Sequence, residues 1–240
     1  MKLLTDENAA FLNWVRLCDI DDHCYMSPEK KRDKIANPLY YASLAGLIEA
    51  SYCLLEMRVD ISAQGGKYGN ALQAASYKGH EAIAKLLIEE GADANAQGGN
   101  YGNALYAASY TNHEVIAKLL IEKGADVNAQ GGYYGNALVA ALHKVNEAIA
   151  KLLIEKGADV NSQGGCYGNA LYAASYTGHE TIVKLLIEKG ADINAQRGEY
   201  GNALYAASYT GHEAIVKLLI EKGADVNAQG GEYGSALQAA

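Results

Sequence analysis

Histidine followed by glutamate occurs four times in this chain, at His80-Glu81, His113-Glu114, His179-Glu180 and His212-Glu213. On a helix, such a pair followed by a second His four residues after the first places two imidazoles on one face for zinc, with the carboxylate as general base. Here the fourth residue is Ala84, Ala117, Val183 or Val216, so the second ligand is missing each time. Cys18, His23 and Cys24 offer too few ligands at an unsuitable spacing. The glycine-rich stretch Gly98-Gly99-Asn100-Tyr101-Gly102 suggests a phosphate cradle, but no Lys-Ser/Thr follows and no strand-like run precedes it. No Ser or Cys nucleophile has a base fixed by a motif, and Ser109 returns at regular intervals as a packing residue would. The chain is therefore read as a non-enzyme with no cofactor and no metal.

What recurs with those residues decides the architecture. Gly-Gly-x-Tyr-Gly-Asn-Ala-Leu begins at Gly65, Gly98, Gly131 and Gly164, then at Arg197 with Arg for the first Gly, and at Gly230 with Ser235 for the Asn. Each step is 33 residues. Five full repeats thus span 65–229, a partial repeat spans 230–240, and 37–64 is a degenerate first repeat in the same register.

Residues 98–130 show how one unit is built. Gly98–Gly102 forms a turn, because glycine enters positive φ without steric penalty. Asn103 stands where an N-cap belongs, as do Asn37, Asn70, Asn136, Asn169, Asn202 and Ser235. The helix after it carries Leu105, Ala107 and Ala108, small enough to let a neighbouring helix approach. It ends at Asn112, where other copies have Gly79, Gly178 and Gly211. A second helix over Glu114–Lys123 has Ile116, Leu119 and Leu120 on one face. Gly124 closes it, and Ala125–Gln130 is an extended return. A single unit cannot bury its apolar face, but stacked copies can, giving an all-α solenoid with projecting turn fingers.

These residues resemble the ankyrin repeats. Gly211-His212, Leu218-Leu219 and Gly223-Ala224-Asp225-Val226-Asn227 match that family's pattern, and period and element order agree over about 36–240. Asn103-Ala104 departs from the family's Thr-Pro. Tyr106 departs from its His, as do Gln73, Val139, Tyr172, Tyr205 and Gln238. Tyr101 stands where the turn usually has Gly. The wording Gln-Gly-Gly-x-Tyr-Gly-Asn-Ala-Leu also resembles arrays attached to fungal NACHT-type intracellular receptors. The resemblance implies a scaffold that binds a partner protein on its concave face, as the recognition array of a larger receptor. A structural or autoinhibitory spacer is the alternative. It also implies that Asn128, Asn161 and Asn227 stand where an asparaginyl hydroxylase acts in some relatives, although bonding to backbone in the return loop is the plainer role.

Carried over by register, the concave face holds Lys67, Asn100, Tyr133, Cys166 and Glu199 at the tips, with Tyr77, Tyr110, His143, Tyr176 and Tyr209 behind them. Tyr offers large contact area at low entropic cost. The competing role for these tyrosines is packing between repeats.

The bulk properties agree with this reading. A formal charge of −8 without a Lys/Arg stripe argues against nucleic acid. No apolar run approaches the ~18 residues of a membrane span, and Met1–Leu4 leads at once into Thr5, Asp6 and Glu7, so neither membrane nor signal peptide is expected. Four unpatterned cysteines fit a reducing compartment, hence the cytoplasm. Residues 1–36 are read as a capping helix, with Phe11, Val15 and Cys18 on one face, and a polar linker, a connection to an upstream domain of a longer parent protein being the alternative. The sequence stops inside a first helix, which leads us to expect uncovered Ile215, Leu218 and Leu219 and self-association through that end. Val145, where other copies have Gly or Asn, marks 131–163 as the weakest copy.

Overall fold

The computed structural model describes residues 36–196 and 201–240. The expected capping helix, the Cys18/His23/Cys24 group and the tip residue Glu199 lie outside the described residues. One compact unit ends at Asp126 and a second begins at Val127.

In the first unit, α1 (Pro38–Leu44), α3 (Ala71–Lys78) and α5 (Ala104–Thr111) stack as first helices. Behind them α2 (Ile48–Glu56), α4 (Glu81–Glu89) and α6 (Glu114–Glu122) stack as second helices. In the second unit the first helices are α7 (Ala137–His143), α9 (Ala170–Thr177), α11 (Ala203–Tyr209) and the short α13 (Ala236–Ala239). The second helices are α8 (Glu147–Glu155), α10 (Glu180–Glu188) and α12 (Glu213–Glu221). All described regular elements are helical, and the pairs form the ankyrin-type solenoid.

Local chemistry sets the boundaries. Asn103 is extended, and its Oδ1 accepts the Tyr106 N–H at 2.8 Å, satisfying one of the free donors of α5. Asn70, Asn136, Asn169 and Asn202 make the same bond. Asn70 adds its own N–H to Gln73 Oε1, completing a capping box. Ala107, Ala108, Ala140 and Ala141 are fully buried, so the first helices approach backbone to backbone. Ile116 and Leu120 carry the apolar face of α6 into the core.

Return loops are tied repeat to repeat by one asparagine each. Asn95 donates Nδ2 to the Gly124 carbonyl at 3.0 Å and accepts the Asp126 N–H at 2.7 Å. Asn128, Asn161 and Asn194 hold the corresponding glycine carbonyl and aspartate N–H of the next repeat. At Asn128 and Asn161 the side-chain amide therefore bonds backbone, the plainer of the two roles considered for it.

The C-terminal region corrects one expectation. Ile215 and Leu219 are buried and Leu218 is half-buried, because α11 and the remainder of α12 cover them. The open apolar atoms belong instead to Ile220, Val226 and Leu237, the last 85% exposed. With Leu204 and Val216 they line a cleft of about 270 Å³. Sedimentation velocity on this chain should show concentration-dependent association that Leu237→Glu with Ile220→Lys suppresses. A monomer at every concentration would remove the idea.

Candidate functional site

Each fully described glycine finger closes on itself. The Gly98 N–H donates to the Gly102 carbonyl at 2.7 Å, and Gly65–Gly69 and Gly164–Gly168 repeat the bond at 2.6 and 2.7 Å. Adjacent fingers touch: a Cβ on Gly99 (φ 61°) would lie 2.2 Å from the Tyr68 carbonyl carbon. Tip residues are joined as well. The Asn100 N–H donates to the Lys67 carbonyl at 2.9 Å, and the Cys166 N–H to the Tyr133 carbonyl at 3.3 Å.

This closed loop explains how the finger accommodates Tyr101. Its ring turns inward and lies between Tyr77 of the preceding repeat, at 4.6 Å, and Tyr110 of its own, at 5.4 Å. Tyr68 extends the run, 4.4 Å from Tyr77. The second unit repeats the device with Tyr134, His143, Tyr167 and Tyr176 at successive separations of 4.1, 5.3 and 5.5 Å. Tyr176 then stacks on Tyr209 at 6.5 Å, and Tyr209 on Tyr233 at 6.0 Å. Finger tyrosines and helix-end rings thus form a ladder within each unit, alternating from Tyr68 to Tyr110 and from Tyr134 to Tyr176. The 6.5 Å step is shorter than the ~8–10 Å between packed helices, since side chains lean together to reach ring contact.

Burial pushes the Tyr101 phenol well above the ordinary tyrosine range, and its hydrogen bond with Tyr77 acts in the same direction. Burial, then the nearby Lys144 charge, lowers the His143 imidazole. His143 Nδ1 is also hydrogen-bonded to the Tyr167 hydroxyl at 3.0 Å.

The residues placed on the concave face by register divide into two sets. Asn100 is exposed, Tyr133 is 71% exposed and Tyr209 is 46% exposed. Lys67 and Cys166 are half-buried. Tyr77, Tyr110, His143 and Tyr176 are half-buried within the ladder, so packing between repeats is part of their role. The finger tyrosines Tyr68, Tyr101, Tyr134 and Tyr167 were missing from that set. A signal for them existed, because the Tyr-Gly pair is unchanged in all six glycine-turn copies while the preceding residue takes five different identities.

Three of the four His-Glu histidines hydrogen-bond to the preceding repeat. His80 Nε2–H donates to the Leu44 carbonyl at 3.2 Å, His113 to Tyr77 at 3.2 Å and His212 to Tyr176 at 3.3 Å. Each ring fits over the preceding repeat's left-handed cap glycine. A Cβ on Gly79 would lie 2.3 Å from His113, and one on Gly178 would lie 2.6 Å from His212. In the third copy Val145 occupies that left-handed position (φ 62°), and Nε2 of the buried His179 above it has no hydrogen-bond partner. Among the described residues, no three His, Cys, Asp or Glu side chains are grouped to hold a metal, and no helix is long and apolar enough to cross a membrane.

The position after the first-helix Leu links three of the repeats to the next finger. Gln73 Nε2 donates to the carbonyls of Ala96, Gly98 and Gly102. The Tyr40 hydroxyl accepts the Tyr68 N–H at 3.3 Å, and the Tyr205 hydroxyl accepts the Tyr233 N–H at 3.4 Å. Val139 has no polar group to offer there.

Comparison with solved structures finds similar folds. The human ASB11 ankyrin repeat domain superposes with a TM-score of 0.72 at 23% identity, covering 85% of this chain and 91% of that one. The ankyrin repeat domain of Bcl-3, described as a unique member of the IkappaB protein family, gives 0.70 at 23% identity, covering 85% and 93%. No curated protein matches the chain. The family model for ankyrin repeats (3 copies) matches residues 39–131, 72–164 and 137–230. These overlapping matches run through most of the sequence, and the chain belongs to the ankyrin repeat family.

Proposed function

We propose that this array binds a partner protein on the concave surface formed by its finger tips and the exposed members of the tyrosine ladder. Ankyrin repeat domains are in general protein–protein interaction modules, and the non-enzymatic reading follows the family. The observation that carries the finer reading is the contrast between framework and tip. The copies repeat the same helices almost unchanged, while the tip is Lys67, Asn100, Tyr133, Cys166 and Glu199 in turn. A scaffold selected only for stacking has no need of five different tips. A cytoplasmic recognition array within a larger receptor is the setting that fits such repeats.

The test uses the partner recovered by affinity purification of the intact parent protein. Tyr133→Ala and Tyr209→Ala should each weaken binding on the order of 2 kcal/mol if these rings are anchors. Melting temperature should change little in Tyr133→Ala, where the ring is largely open, and fall modestly in Tyr209→Ala, which also removes stacking on Tyr176 and Tyr233. Tyr176→Ala should lower stability as well, since that ring stacks on Tyr167 and Tyr209. Unchanged affinity in both exposed-ring variants would move the site elsewhere and favour a spacer role.

A further inference from the structure

Resting on that concave-face reading, we propose that Tyr209, Tyr233 and Glu232 form a subsite for a guanidinium or ammonium group, so that the partner presents a basic segment to this end of the ladder. Three observations converge on it. First, the two rings are open where most ladder rings are not: Tyr209 is 46% and Tyr233 49% exposed. They lie 6.0 Å apart and nearly parallel, at 25°. An aromatic face carries negative quadrupole density and attracts a cation within about 6 Å of its centroid.

Second, the tip residue Glu232 directly precedes Tyr233 in the chain and adds a negative charge to this finger. It is exposed, and its charge, after that of Tyr233, helps raise the Tyr209 phenol above its ordinary range. Rings with an adjacent carboxylate suit a planar guanidinium, which stacks on π faces while donating to carboxylate oxygens.

Third, the chain uses the same chemistry internally in its first unit. Lys78 Nζ sits over the Tyr77 ring, 5.8 Å from the centroid. In the repeat of Tyr209 the residue after the tyrosine is Thr210, so that cation is absent from the corresponding position. The formal charge of −8 favours encounter with basic segments in general.

The probe is a blocked, alternating Gly-Arg peptide, compared with the same peptide carrying neutral citrulline in place of arginine. Each is titrated into the isotope-labelled full chain and followed by NMR. The arginine peptide should perturb Tyr209, Tyr233 and Glu232, and the citrulline peptide should bind about fivefold more weakly or worse. Glu232→Gln should reduce arginine-peptide affinity several-fold while leaving the spectrum of the fold intact, and Tyr209→Ala should abolish the local shifts. Equal binding of both peptides would overturn the proposal. So would shifts confined to the carboxylates of the second helices, such as Glu213 and Glu221. Loss of partner affinity in Tyr209→Ala without arginine-peptide binding sinks only the cationic subsite, whereas arginine-peptide binding at the site with partner affinity intact sinks the concave-face reading.

Discussion

Gly178→Val should destabilise the fourth copy by about 3 kcal/mol, and Val145→Gly should stabilise the third by about 1 kcal/mol, from one steric cause. Gly178 has φ 82° and Val145 has φ 62°, both in the left-handed region that a β-branched residue tolerates poorly. At Gly178 the absent Cβ is also the space in which the His212 ring lies, so valine there adds a clash to the backbone strain. The ring would have to move, taking its bond to the Tyr176 carbonyl with it. The third copy is in that condition already, since His179 Nε2 is buried without a partner. Glycine at 145 relieves the strain, offset in part by its greater freedom in the unfolded chain. Amide exchange resolved by repeat is the suitable readout, because a repeat array need not unfold as a single unit. In the unmodified chain Leu142–Asn146 should be less protected than Ser175–His179, and the two substitutions should bring the segments together. Equal protection at the outset would show that the valine is accommodated at no cost.

Tyr101→Ala should cost about 3 kcal/mol, localised to the repeats on either side of its finger. The ring contacts Tyr68, Tyr77, Tyr106 and Tyr110, so its removal leaves a gap bounded by four aromatic side chains. Tyr101→Phe keeps most of this packing and should be far milder. The two variants also differ in alkali. The folded phenol is held above its unfolded value of about 10, so its contribution is complete below pH 10 and is lost as the pH rises beyond it. Alkaline titration followed by phenolate absorbance and by circular dichroism should show late ionisation coupled to loss of helix. Tyr101→Phe should flatten the alkaline fall in stability. Ordinary, independent ionisation of every tyrosine with no loss of structure would contradict the ladder's role.

Much of this protein is determined within single repeats and was legible there. A period of 33 residues, an asparagine (once Ser235) before the Ala-Leu pairs and a glycine or asparagine after most first helices specify caps and lengths by bonds spanning a few residues. Val145 is legible as a defect for the same reason, because the demand for positive φ is local. The absence of a second His after each His-Glu likewise removes the zinc reading at the level of spacing.

Contacts between repeats were not legible in that way, and they decide what the same residues do. Whether Tyr101 is a finger-tip ligand contact or a half-buried rung depends on Tyr77, 24 residues earlier in the chain, and on a finger that closes on itself. His113 becomes a strut only because the carbonyl of Tyr77 and the space over Gly79 belong to the repeat before it. Ile215 and Leu219 stay buried while Ile220 and Leu237 do not, a difference that the heptad-like spacing of a helix leaves open. Backbone preference and capping act over one turn of helix, so residue order alone settles them. Ring stacking and burial are set by which side chains meet across a junction, and that is settled only when the repeats stack.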